Sequence, residues 1–106
     1  MSINLFDREP QHGAEIAKAS NAVEIAAGLH SYQAVGYTSN SGSVVCDIEV
    51  TNEETPTNWI KIGTITLAPN NSTVTDGFST FGAWRHTRAN ITTLTGNNPL
   101  VKVWVT

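Results

Sequence analysis

The stretch Val44-Val45-Cys46-Asp47-Ile48-Glu49-Val50-Thr51 alternates without a fault: Val44, Cys46, Ile48 and Val50 fall on one side of an extended backbone, and Val45, Asp47, Glu49 and Thr51 on the other. Successive side chains of a β-strand point to opposite faces, so a period of two over eight residues describes a half-buried strand. Cys46 sits on its apolar face, where a thiol acts as a small hydrophobic group and not as a nucleophile. It is the sole cysteine of the chain, which excludes an internal disulfide and a four-cysteine zinc site.

Outward from this strand the same reading recurs. Upstream, Tyr32 to Tyr37 reads as extended and Thr38-Ser39-Asn40-Ser41-Gly42-Ser43 as a turn of small polar residues. Downstream, Asn52 to Asn58 carries Glu53, Glu54 and Pro56 and reads as a loop, after which Trp59 to Leu67 is extended again. Gly63 interrupts that alternation and marks a bulge or a close backbone approach. Ala68-Pro69-Asn70-Asn71-Ser72 is a turn, and Thr73 to Phe81 is weakly β. Within Ala83 to Leu94, Ala89, Ile91 and Thr93 alternate with Arg88, Asn90 and Thr92. Thr95-Gly96-Asn97-Asn98-Pro99 then turns the chain into Leu100 to Val105, where Val101, Val103 and Val105 oppose Lys102 and Trp104. Short strands joined by Gly, Asn and Pro turns predict an all-β domain, a small antiparallel β-sandwich or jelly-roll-like arrangement.

Two segments are less regular. Met1 to Gly13 mixes Ile3, Leu5 and Phe6 with Asp7, Arg8, Glu9 and Pro10 and has no sustained period; it reads as an extended N-terminal arm, held by its own domain or by a neighbour, ahead of a single domain over 14–106. From Ala14 to Leu29 the signals conflict. Ile16, Ala19, Val23 and Ala26 fit a helical face with Gly28 as a cap, and the abundant alanine favours helix. A break at Ser20-Asn21 instead leaves Ala22 to Ile25 as a short strand.

Composition narrows the function. The 106 residues suit one core. Only 14% of them are charged, whereas 14 Thr, 10 Asn and 8 Ser supply a neutral polar surface rich in β-branched threonine. Six Lys and Arg against nine Asp and Glu give a net charge of -3, leaving no basic surplus for a phosphate backbone, so no nucleic acid is expected. No apolar run approaches the length of a membrane span, and the first ten residues lack the basic start and apolar stretch of a secretory signal.

No reaction is written into the residues. His12, His30 and His86 have no partners at helical or zinc spacing, and neither a nucleophile elbow nor a phosphate loop is present. Asn52-Glu53-Glu54 clusters oxygens but lacks the spaced ligands of a calcium loop, and reads as a solvated acidic loop. No cofactor, metal or catalytic residue is therefore expected. Trp59, Trp84 and Trp104 offer flat apolar faces that could stack on a sugar, or serve the core or a protein interface. Trp84-Arg85-His86-Thr87-Arg88 joins an aromatic to two arginines, and because Trp and Arg are enriched at interface hot spots, Trp84 and Arg85 are expected to anchor a subunit contact. Ile3, Leu5 and Phe6 are the apolar anchors expected of the arm.

From Gly42 onward the chain resembles a family. Val44 to Val50, Asn58-Trp59-Ile60-Lys61-Ile62-Gly63-Thr64-Ile65-Thr66-Leu67, Thr75-Asp76-Gly77-Phe78, Trp84 and Arg88-Ala89-Asn90-Ile91-Thr92-Thr93-Leu94-Thr95-Gly96 are similar to a pattern among small β-sandwich virion structural proteins of tailed bacteriophages, of the capsid decoration or cement type. The loop before the tryptophan departs from the short turn usual there, being longer and more acidic, and the arm lies outside the resemblance. The resemblance favours the strand at Ala22 to Ile25. It implies a non-enzymatic capsid protein, made in the host bacterial cytoplasm, that binds and bridges major capsid protein subunits on the outer shell as a homo-oligomer, trimer or dimer. A tail, baseplate or fibre-associated β-domain, or a surface carbohydrate-binding module, is the alternative expectation.

Overall fold

The computed structural model describes residues 3–8 and 19–106. These residues form strands β1 (Ile3–Arg8), β2 (Val23–Glu24), β3 (Gly28–Thr51), β4 (Ile60–Leu67), β5 (Thr73–Gly82) and β6 (His86–Val105). All pairings are antiparallel. The chain is all-β, and the described part contains no helix; Ala22 to Ile25 contains the short strand β2, not a helical turn.

Two long strands organise the molecule. β3 and β6 pair from Tyr32↔Val105 to Thr51↔His86, and their outer neighbours change half-way. Where β3 spans residues 28–37 the order is β1-β6-β3-β5; where it spans 43–51 the order becomes β2-β6-β3-β4. The sheet therefore has two four-stranded halves that share their central pair. Both contribute to one core: Tyr32, Ala34, Val101, Val103 and Val105 from the first, Val44, Cys46, Ile48, Ile65, Leu67, Ala89 and Ile91 from the second. The alternation of residues 44–51 is obeyed, with Val44, Cys46, Ile48 and Val50 buried.

The expected turns at Thr38–Ser43 and Thr95–Pro99 are corrected by this arrangement. Both lie inside continuous strands and form the bend between the halves. The β3–β6 register slips between Tyr37 and Ser39 and again between Ser39 and Ser43. Asn40, Gly96 and Asn98 take φ values of 65°, 109° and 48°, a region open to Gly and tolerated by Asn. The turn after β4 docks into the bend: Gly42 N–H donates to Pro69 O, Asn71 N–H to Thr38 O, and Asn40 N–H to Asn71 Oδ1, each at 2.9 Å. A stretch with turn chemistry thus stays in the sheet, because a distant segment satisfies its backbone groups.

Gly63 answers to both of its sequence readings. The β3–β4 register shifts between Ile48↔Gly63 and Glu49↔Lys61, leaving Ile62 as the extra residue of a bulge. The Phe78 ring of β5 covers the glycine, and a Cβ there would lie 2.9 Å from two of its ring atoms.

Of the two ways expected for holding the N-terminal segment, its described part shows the first, attachment to its own domain. Ile3–Arg8 adds an edge strand to β6. Leu5 is only 7% exposed and belongs to the core, with Ile3 packed against it. An amphipathic extended segment beside an open sheet edge gains hydrogen bonds and burial together. These two side chains therefore stabilise their own domain and are not free to anchor another. The side chain of Phe6 and residues 9–18, including the rest of the expected arm and His12, lie outside the described residues.

Candidate functional site

Two surface features stand out, at the ends of strands that the bend brings to one region or on the face that the core leaves outside. The first is an open groove of about 530 Å³. Its apolar lining is Trp59, Ile60 and Trp84; its polar lining is Asn52, Glu53 and Asn58. The loop between β3 and β4 supplies most of these groups, and the segment joining β5 to β6 supplies Trp84.

The loop is organised around one carboxylate. Glu53 Oε1 accepts from Thr57 N–H at 3.0 Å and also from Asn58 N–H, and Oε2 accepts from Asn58 Nδ2 at 3.1 Å. The backbone N–H of Asn58 and of Thr57 hold its carboxyl down at about 2, against an ordinary 4.5, because hydrogen bonds donated to the charged form favour it. The acidic loop is thus a self-satisfied turn and not a loose cluster of oxygens. Among the described residues no group of three or more His, Cys, Asp and Glu is placed to hold a metal ion.

Trp59 is fixed from outside the groove. The Arg88 guanidinium stacks on its ring, 4.4 Å from the centroid, and Arg88 Nε donates to Glu49 Oε1 at 2.7 Å. Stacking and ion pairing hold the cation in one geometry. Asn52 Oδ1 accepts from Arg85 N–H at 3.0 Å, and the same N–H reaches Thr51 O at 3.1 Å. Arg85 O in turn accepts from Ile25 N–H at 2.9 Å. The backbone that presents Trp84 is thereby tied to two neighbouring segments.

The second feature is the outer face of the first half-sheet. Leu29 of β3 stands directly opposite Phe81 of β5, and they are 57% and 78% exposed. Further along this face Ser31 and Ser79 share a hydroxyl hydrogen bond of 2.7 Å. Gln33 is opposite Trp104, and both line a shallow depression with Val35. Isolated exposed apolar residues are ordinary; two large ones paired across strands form a patch.

Of the expected site residues, Trp84 lines the groove and Arg85 beside it has an exposed side chain, while Ile3 and Leu5 pack inward. The three tryptophans divide, with Trp59 and Trp84 together and Trp104 on the outer face. Leu29, Ile60 and Phe81 escaped sequence reasoning. The available signal was parity: counting back by twos from Gln33 puts Leu29 on the polar side of β3. Of the histidines, His30 Nε2 lies 2.6 Å from Ala26 O and Nδ1 3.2 Å from Thr106 O. His86 is buried in β6, with Nε2 3.9 Å from a Glu24 carboxylate oxygen. Burial pushes the Cys46 thiol up to about 12, with Asp47 and Glu49 adding repulsion.

Comparison with protein-family models, with curated proteins and with solved structures found no match to this chain.

Proposed function

We propose that this chain is a non-enzymatic structural protein of a tailed-phage particle, a decoration protein that binds and bridges major capsid protein subunits on the outer shell. The observation that carries this reading is the Leu29–Phe81 pair. A chain with a neutral, threonine-rich surface leaves the two most exposed large apolar side chains among the described residues facing each other on the sheet. Covering such side chains gains roughly 1.5–3 kcal/mol each, which is weak for a single copy. Symmetric copies, as trimers or dimers on a shell, multiply weak contacts into stable attachment. The sequence resemblance from Gly42 onward supplies the virion context, and a reduced, buried Cys46 suits assembly in the host cytoplasm.

The test is particle composition combined with surface substitution. Purified virions should carry the protein in numbers on the order of hundreds, as repeated shell symmetry requires. Phe81→Ser, which alters only an exposed side chain, should lower occupancy on capsids while leaving the fold unchanged. A copy number of about a dozen or fewer would move the protein to the tail or baseplate. Its absence from particles would remove the proposal altogether.

A further inference from the structure

We infer that the groove between Trp59 and Trp84 is a binding site for an uncharged saccharide, an activity beyond attachment to a shell. The lining has the two components that sugar recognition needs. Trp59, Trp84 and Ile60 present apolar surface to the C–H face of a pyranose ring. Around them stand polar atoms with unused capacity. Asn52 accepts through Oδ1 from Arg85 N–H, and among the described residues its Nδ2 donates to nothing. Asn58 donates through Nδ2 to Glu53 and Thr57, and its Oδ1 is likewise unengaged among the described residues. Glu53 lines the same groove with its carboxylate already engaged by Thr57 and Asn58, which fixes Asn58 in place. One donor beside one acceptor matches sugar hydroxyls, each of which both donates and accepts.

The same atoms select against other occupants. An occupant without polar atoms, such as an acyl chain, would leave the Asn52 amide and the Asn58 carbonyl dry and unpaired, which is the costly way to bury a polar group. An anionic ligand such as a phosphate or an acidic sugar would meet the Glu53 carboxylate, and no cationic side chain lines the groove among the described residues. Arg88 is occupied elsewhere, against Glu49 and Trp59. The tryptophan is held in place before any ligand arrives, so little side-chain freedom remains to be lost on binding. Trp104 has no part in this site, since it lies on the outer face of the other half-sheet.

The test uses the full chain, first on an array of neutral and acidic glycans and then in titrations with maltose, cellobiose, lactose, chitobiose and glucuronic acid, read by tryptophan fluorescence and calorimetry. At least one neutral saccharide should bind saturably and glucuronic acid should bind more weakly. Asn52→Asp keeps the oxygen that Arg85 N–H needs and exchanges the free amide donor for a charged acceptor, so it should fold normally and weaken binding by about tenfold or more. Trp84→Phe should weaken it as well, and Trp104→Phe should leave it unchanged. No saturable binding by any neutral glycan, or affinity unaltered in Asn52→Asp, would overturn the inference. Because binding is read on the isolated chain, its failure is separate from failure of the capsid reading, which is read on particles.

Discussion

The hydroxyls of Tyr32 and Thr87 lie 3.0 Å apart in the core and join the two halves of the sheet. Thr87 Oγ1 also donates to Glu49 O at 3.0 Å, and one hydroxyl has one proton, so Tyr32 must donate to Thr87. Burial raises the Tyr32 phenol above its ordinary 10.0. The chain of bonds has a direction, and the two ends should not respond alike to substitution. Tyr32→Phe removes the donor and leaves Thr87 still bonded to Glu49, a loss of about 1 kcal/mol. Thr87→Val strands both the buried phenol and the carbonyl, a loss of about 2–3 kcal/mol. Urea denaturation of the two variants decides it; Tyr32→Phe proving the more damaging would reverse the assignment of donor and acceptor.

Gly63→Ala should be one of the least tolerated single changes in β4. The added methyl would collide with the Phe78 ring, and that ring is in turn stacked on Tyr32 with centroids 5.5 Å apart. Phe78 cannot yield without disturbing the phenol that links the halves. The expected cost is about 1–3 kcal/mol, the usual range for overpacking a filled site. A paired Phe78→Leu change, which shortens the obstructing ring, should recover part of it if the collision is the cause. Thermal melts of the single and double variants provide the comparison.

What could be read from the chain depended on whether the deciding contacts were local. The strand at 44–51 was legible because one face is wholly buried, and that writes a strict period into the residues. Gly63 was legible because only a missing side chain breaks such a pattern. The bends at Thr38–Ser43 and Thr95–Pro99 carry genuine turn chemistry, and nothing nearby says that Pro69 and Asn71 will supply hydrogen bonds that keep β3 continuous. Leu5 looked like an anchor for another chain because the edge of β6 that receives it lies almost a hundred residues away. At the groove, Trp59 and Trp84 were visible as candidates singly, while their meeting depends on the β3–β4 loop and the β5–β6 connection closing on one place. Leu29 and Phe81 were obscured for a related reason: exposure follows from register, and residues 14–29 carry competing helical and extended periods.

Cys46 should be inert in the folded protein. Its side chain is fully buried, and burial, reinforced by Asp47 and Glu49, raises the thiol to about 12 from an ordinary 9.0. The thiolate is the reactive form, so labelling by iodoacetamide at pH 8 should proceed only through unfolding and accelerate sharply in denaturant. The raised value also bears on stability. The folded state holds its proton more tightly than the unfolded chain does, so this contribution is intact below about pH 9 and is lost progressively as pH climbs toward 12. Cys46→Ala should flatten the alkaline limb of the stability curve. Rapid labelling of the native protein at pH 8 would contradict the buried placement.

Glu53 governs the opposite end of the pH scale. Its carboxyl is lowered to about 2 by the backbone N–H groups of Asn58 and Thr57 and then by their side chains. A depressed folded value means that the stabilisation is present above the unfolded value near 4.5 and disappears as pH falls toward 2. Protonation takes away the acceptor around which residues 53–58 are arranged, so the loop should open before the sheet does. In an acid titration followed by NMR, the Thr57 and Asn58 amide resonances should move together with a midpoint near 2, while those of buried β3 and β6 residues stay in place. Glu53→Gln keeps one carbonyl acceptor and loses the charge, and its loop should show no such transition. Because Asn58 and Trp59 border the groove, the fluorescence of Trp59 should follow the same midpoint in the parent protein. A midpoint near 4.5 would mean that the carboxylate is not held by these amides, and the loop would then have to be ordered by something else.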